Sequence, residues 1–160
     1  MTTTITGSGG VSKVQTGAIE HGDLPSGSVL QVVNAVYTTF TTTTSGSFVD
    51  TGLTATITPK STSSKIFVII SAGMGNTNTA ANNNVQITRD STSVATFSRV
   101  SFSAGGHMMA QNSFTDLDSP STTSAVTYKL QFKTDTGTFR FCGSSSGTPS
   151  AGITLMEIAG

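Results

Sequence analysis

Charge is scarce in this sequence: eight Lys or Arg and eight Asp or Glu among 160 residues, for a net charge of zero. A nucleic-acid-binding face needs clustered Lys and Arg against the phosphates, so no nucleic acid is expected as a partner. Tryptophan is absent and only two tyrosines occur, which leaves little for the aromatic platforms that sugar sites use. Cys142 is the one cysteine. It forms no intrachain disulfide, and with Arg140 its nearest cation in sequence it is expected to be a packed thiol rather than a reactive one. No apolar run approaches the roughly 20 residues of a membrane span, and no basic-then-apolar signal opens the chain, so membrane insertion is not expected. Every Asn fails the Asn-x-Ser/Thr spacing. No phosphate-cradling glycine loop or nucleophile triad is written in the chain either. The expectation is a protein without enzymatic activity, cofactor or metal.

Thr and Ser fill the space that charge leaves, at about a third of all residues, with 17 Gly beside them. Threonine is β-branched yet hydrogen-bonding and suits the wet face of a pleated sheet. The most apolar stretch is Ile66-Phe67-Val68-Ile69-Ile70. Its length and β-branching predict a strand over 64–72, buried on both faces and ended by a turn at Gly73-Met74-Gly75. Before it, Leu53, Ala55 and Ile57 alternate with Thr54, Thr56 and Thr58, which predicts a strand with one buried face, pairing with the first as a hairpin. Val126, Tyr128, Leu130 and Phe132 alternate strictly with Thr127, Lys129, Gln131 and Lys133. Further strands are expected at 29–37, 85–90, 94–99, 107–114, 138–142 and 153–158, with 85–99 a hairpin. The polar connector 38–47 is assigned no element, and Asp116 to Ser124 reads as a turn region. About nine short strands and no helix predict an all-β sandwich or barrel.

Residues 1–27 are of another kind, with few core-forming side chains and a turn signal at Pro25-Ser26-Gly27. Two readings stand: a flexible tail, or an extended N-terminal attachment arm with Val11, Val14 and Ile19 as anchors. The domain proper is then 28–160. Within it, the loop carrying Asn76, Asn78, Asn82, Asn83 and Asn84 is the candidate for exposed recognition.

Three segments carry a resemblance: Phe48-Val-Asp-Thr-Gly-Leu-Thr-Ala-Thr-Ile-Thr-Pro59 with Ser63-Ser-Lys-Ile-Phe-Val68, then Asp118-Ser-Pro-Ser-Thr-Thr-Ser-Ala-Val-Thr-Tyr-Lys-Leu130, then Ile153-Thr-Leu-Met-Glu-Ile-Ala159. They are similar to the head domain of tail-fibre and minor structural proteins of bacteriophages, especially those of marine and cyanobacterial hosts. The stretch Val11-Ser-Lys-Val-Gln-Thr-Gly-Ala-Ile19 resembles one that often precedes that head. The resemblance implies a jelly-roll similar to the C1q and tumour-necrosis-factor heads, assembled as a homotrimer, and a virion location after assembly in the host cytoplasm. Unlike a full fibre protein, this sequence is not expected to carry a long shaft. The partners implied are other virion proteins at the arm and a host-surface glycan or protein at the loops. Phe97, Phe102, Phe114 and Tyr128 are the side chains expected at the threefold contact.

The chemistry-bearing residues are sparse. Asp116 and Asp118 would share a face of an extended segment, but in a Ser- and Pro-rich turn region local hydrogen bonding is the expected role. His107 sits beside Met108 and Met109 and would meet a metal only on a threefold axis, while His21 has no partner pattern. A virion structural protein is therefore the leading reading, with a lectin-type carbohydrate-binding module or a capsid decoration protein as alternatives.

Overall fold

In the computed structural model, which describes residues 21–78, 80–100, 110–142 and 150–160, the alternating segments become ten strands. They are β1 (Val29–Tyr37), β2 (Thr41–Thr43), β3 (Val49–Ile57), β4 (Lys65–Asn76), β5 (Asn83–Arg89), β6 (Thr92–Phe97), β7 (Ala110–Asp118), β8 (Val126–Thr134), β9 (Phe139–Phe141) and β10 (Ala151–Ile158), after one 3-10 turn at His21–Asp23. A six-stranded sheet runs β1-β10-β4-β9-β2, with β7 on the other side of β4, and a four-stranded sheet runs β3-β8-β5-β6. Every pairing is antiparallel. Without the short β2 and β9, the eight remaining strands cross between the sheets at every connection except the β5–β6 hairpin, as two Greek keys do, which makes the protein an all-β jelly-roll sandwich.

The core lies between the sheets. From the six-stranded sheet come Ile66, Val68, Ile70, Ala72, Met74, Phe114, Ile153 and Leu155; from the other come Leu53, Ala55, Ile57, Val85, Ile87, Tyr128, Leu130 and Phe132. Phe132 meets Phe139 and Phe141 of β9 at ring-centroid distances of 5.4 and 6.2 Å, joining the two layers. The alternation expected along β8 is borne out, with Val126, Tyr128, Leu130 and Phe132 buried, as is the 85–99 hairpin.

Four expectations are corrected. The apolar run is not buried on both faces: Ile66, Val68 and Ile70 point into the core, while Phe67 and Ile69 on the opposite face are only half-covered. The strand does not stop at Gly73-Met74-Gly75, because Met74 is a core residue and pairs with Ala110 and Phe141. β3 and β4 form no hairpin. β3 pairs β8 in one sheet and β4 pairs β10 and β7 in the other, so residues 58–64 cross between layers. Asp116, Leu117 and Asp118 belong to β7, paired with Val68, Phe67 and Ile66, because the long β4 supplies a partner for each. The connector 38–47 also contains β2, held against β9.

The expected threefold aromatics are corrected as well. Tyr128 is fully buried and Phe114 is 6% exposed. Phe97 stacks on Phe114 at 5.0 Å, and Phe102 lies outside the described residues. Tyr128 and Phe114 thus belong to the core of one chain, and Phe97 is partly buried against it.

Cys142 follows β9 directly and is buried, its thiol donating to the Tyr37 carbonyl at 3.0 Å. Burial pushes the thiol's pKa up, which agrees with a packed rather than reactive group. Where the β3–β8 ladder shifts register between Asp50 and Thr54, the Thr51 hydroxyl donates to the Leu130 carbonyl in place of the missing backbone bond. Gly52 sits at that bulge with φ +97°, and a Cβ there would lie 2.6 Å from the Tyr37 hydroxyl, so both backbone and space require glycine.

The two ends of the sandwich differ. At one end, the base, Val29 opens β1 beside Ile158, the last residue of β10, and Lys65 opens β4 on that residue's other side. The connections there run to seven residues at most: 58–64, 90–91 and 119–125. The opposite end, the tip, receives the connections 38–48, 77–82, 98–109 and 135–150, of which the first and last contain β2 and β9.

Candidate functional site

The five asparagines flagged in sequence fall at the tip, where β4 passes to β5, but their side chains are engaged within the protein. The Asn76 amide donates to Asn83 at 2.6 Å and to the Thr134 hydroxyl at 3.0 Å, and the Asn76 carbonyl oxygen accepts the Asn78 backbone N–H. Asn78 reaches Thr136, Asn82 bonds the Asp135 carboxylate through backbone and side chain, and Asn84 accepts the Arg99 N–H. Asn83 is buried. The cluster ties the β4–β5 connection to the β8–β9 turn, and an amide already paired inside offers less to a ligand. Asn82 keeps an exposed side chain and Asn78 and Asn84 a partly exposed one. The arm anchors Val11, Val14 and Ile19 and also His107 lie outside the described residues.

At the base, residues 21–28 rest on the head. Gly27 donates its N–H to the Ala159 carbonyl at 2.8 Å, and Ala159 donates back to Ser28 at 2.8 Å. A shallow cavity of about 180 Å³ lies between Gly22, Leu24, Leu30, the serines 61, 63 and 64, and the terminal Ala159-Gly160. Beneath it Glu157 is fully buried, accepting from the Gln31 amide and, at 2.6 Å, from the Lys60 N–H. Burial alone would raise its pKa, but the neighbouring Ser64 hydroxyl and the bonds from Gln31 and the backbone at Lys60 and Ser61 outweigh that and hold it below the usual carboxylate range. Such a carboxylate adds stability at neutral pH that is lost as pH falls through its folded pKa.

Asp118, at the end of β7, spans the sandwich. It pairs with the Arg89 guanidinium of β5 and accepts the Tyr128 hydroxyl of β8 at 2.7 Å. This is the cross-layer role that a turn would not have given it. Burial pushes the Tyr128 phenol's pKa well up, the Asp118 charge adding to it, so the phenol remains a neutral donor. Asp116 shares that inward side of β7. Burial raises its pKa, the Leu117 N–H opposing and the Asp118 charge adding. A raised carboxyl pKa means that ionised Asp116 subtracts from stability at neutral pH, a loss relieved as pH falls through its folded value. Asp116→Asn is therefore expected to raise the melting temperature at pH 7. The gain should vanish near pH 3, below both carboxyl values. Melts at the two pH values check this, and an unchanged melting temperature at pH 7 contradicts it.

Among the described residues no group of three or more His, Cys, Asp or Glu gathers in a way that would hold a metal ion, and no helix is long and apolar enough to cross a membrane. What stands out is the contrast between the outer faces. The four-stranded sheet shows Thr54, Thr56, Thr127, Lys129, Gln131 and Lys133, laced by a Thr56–Thr127 hydroxyl bond and by Asp50 with Lys129 at 3.0 Å. Across the six-stranded sheet runs one apolar row in register, Val32–Met156–Phe67–Leu117. Val29, Val32, Val36 and Leu117 are 51%, 55%, 64% and 51% exposed. Single-residue alternation rules missed this face, because the signal is an apolar residue at the outward positions of four strands far apart in sequence.

No family model matches the sequence and no curated protein matches it. Several solved structures resemble the fold at low similarity, among them two from one virus. The VP2 subviral particle of infectious bursal disease virus gives a TM-score of 0.47 at 11% identity, over 81% of this chain and 37% of that one. The T=1 particles derived from the same virus give 0.46 at 10% identity, over 81% and 36%. The chain thus spans well under half the length of either.

Proposed function

We propose that this chain is a non-enzymatic structural protein of a bacteriophage virion: a homotrimeric appendage, a tail fibre, tail-tip piece or capsid fibre, anchored by its N-terminal arm and contributing to host attachment. The observation that carries the reading is the polarity of the sandwich. The chain enters the head at the end with the short connections, where residues 26–28 are hydrogen-bonded to Ala159. The three longest connections, 38–48, 98–109 and 135–150, leave from the other end, beside the six-residue connection 77–82. An appendage needs that division, with one end committed to attachment and variable loops displayed away from it. The arm, residues 1–27, has too few apolar residues to offset roughly 1–2 kcal/mol of backbone entropy per residue by itself. Val11, Val14 and Ile19 would anchor it on a neighbouring virion protein, where an extended segment adds main-chain hydrogen bonds to an open edge or groove. At the tip, Asn78, Asn82 and Asn84 keep exposed or partly exposed side chains for a host-surface glycan or protein. A lectin reading draws less support, since Asn76 and Asn83 are occupied within the loop cluster.

Deleting residues 1–20 tests the arm, because it leaves every head contact of residues 21–28 in place. The expected result is a head with unchanged melting temperature that no longer incorporates into particles. Normal incorporation of the truncated protein would place attachment in the head.

A further inference from the structure

We infer that the cavity at the base is a socket for an alkylammonium group, the end of a lysine side chain carried by the virion protein on which the appendage stands. The inference rests on the reading above that the base faces the particle. It adds a contact made by the head itself beside the one proposed for the arm.

Three observations carry it. The first is a buried charge without a counter-ion. Glu157 has no solvent exposure, and its carboxylate accepts from the Gln31 amide and the Lys60 N–H, both neutral donors. The ion pairs among the described residues are Arg89–Asp118 and Lys129–Asp50, and Glu157 belongs to neither. Its neighbours hold it in the ionised form, so a negative charge lies beside the cavity. Buried charges are ordinarily matched by an opposite one.

The second is Ser64. It is 1% exposed, it lines the cavity, and its hydroxyl oxygen has no hydrogen-bond partner among the described residues. A buried hydroxyl left unpaired costs free energy that a ligand at that point recovers. Ser64 also stands next to the carboxylate, so a cation donating to its Oγ is one hydroxyl away from the Glu157 charge. Ser61 and Ser63 extend this oxygen-bearing side, their hydroxyls 3.0 Å apart.

The third is an apolar wall. Leu24 and Leu30 line the same cavity, and Leu24 is 38% exposed. A bare alkali ion gains nothing from such a wall. A lysine does, because its methylene stem lies along apolar surface while its ammonium seeks oxygen. The cavity, at about 180 Å³, has the volume of roughly six waters, room for an ammonium and the methylenes behind it. Among the described residues no group of three or more His, Cys, Asp or Glu suits a divalent metal in its place.

The test uses the full chain in solution, with n-butylammonium as the probe and amide NMR as the readout. The expected result is a saturable shift of the Ser61, Ser63 and Ser64 N–H signals. Glu157→Gln should weaken binding by roughly tenfold or more, the loss that a missing charged partner implies. Leu24→Ser, at a partly exposed wall position, should weaken it several-fold. n-Butanol has the same stem without the charge and should give no saturable shift. If butylammonium leaves the 61–64 turn unmoved, the inference is overturned while the appendage reading stands. An equal response to n-butanol overturns the role of the charge, and an equal response to potassium overturns that of the wall. Binding that appears only after residues 1–20 are removed would make Lys13 of the arm the occupant and overturn the partner lysine. In particles, Glu157→Gln should lower incorporation, and incorporation equal to wild type likewise overturns the partner lysine. Should Glu157→Gln misfold, Leu24→Lys decides: its own ammonium fills the socket, so probe binding and incorporation should both fall, and no change in either overturns the inference. A wild type found in no particle overturns the appendage reading itself, whatever the probe does.

Discussion

Phe132→Ala is expected to lower the unfolding free energy by about 3–5 kcal/mol, the range for removing a fully enclosed aromatic ring. Phe132 has no solvent exposure and lies on β8, with Phe139 and Phe141 of the opposing layer against its ring. Both the lost burial and the space left behind contribute, because a ring wedged between two β-sheets leaves a site that cannot collapse. One residue earlier, Gln131 points outward and its amide bonds Asp50 and Gln86 at a half-exposed site. Gln131→Ala should therefore cost about 1 kcal/mol or less. Denaturant titrations of the two variants check the pair, and equal losses would show that β8 has the opposite phase.

The second large effect is expected at the base. Asp118→Ala leaves the Arg89 guanidinium and the Tyr128 hydroxyl without their shared acceptor. Hydrogen bonds to charged groups contribute about 1.5–3 kcal/mol each. The pair is partly open to solvent, with side-chain exposures of 21% and 12%, and screening reduces its share. A total loss of about 2–3 kcal/mol is expected. Because Asp118 belongs to β7 and its partners to β5 and β8, the loss should fall on the docking of the two layers. Combining Asp118→Ala with Arg89→Met should cost clearly less than the sum of the single changes. Strict additivity would mean that the contact is a surface ion pair without consequence.

How much of this was legible in the sequence depended on the range of the signal. The β8 alternation from Val126 to Phe132 and the Leu53–Ile57 alternation in β3 are local, and each was read with the correct inward face. The partner of each strand is a long-range property. Phe48–Pro59 and Ser64–Ala72 are neighbours in sequence, yet they join different sheets, because a jelly-roll carries consecutive strands across the sandwich. Gly73-Met74-Gly75 carries the residues of a turn. It stays extended because β7 and β9 pair it on both sides and Met74 enters the core. Asp116 and Asp118 looked like turn residues for the same reason: their strand is imposed by β4, and the role of Asp118 is set by Arg89, 29 residues away.

For the candidate site, composition pointed to the Asn-rich connection as a candidate exposed loop. It could not reveal that the Asn76 amide donates to the buried Asn83. The apolar outer face was present in the sequence as the continuous run Ile66–Ile70, which reads as a strand covered on both sides. Among the described residues one face of that run enters the core, and Phe67 and Ile69 on the other stay partly exposed.

The central claim is a virion appendage that is held at its base and displays its tip. It is tested most directly by immunogold electron microscopy of purified virions, with an antibody raised against the 76–84 connection. The account predicts gold at the outer end of projecting densities, separated from the particle surface by the length of the head. Virions that bind no antibody, or gold lying flush with the particle surface, would contradict it.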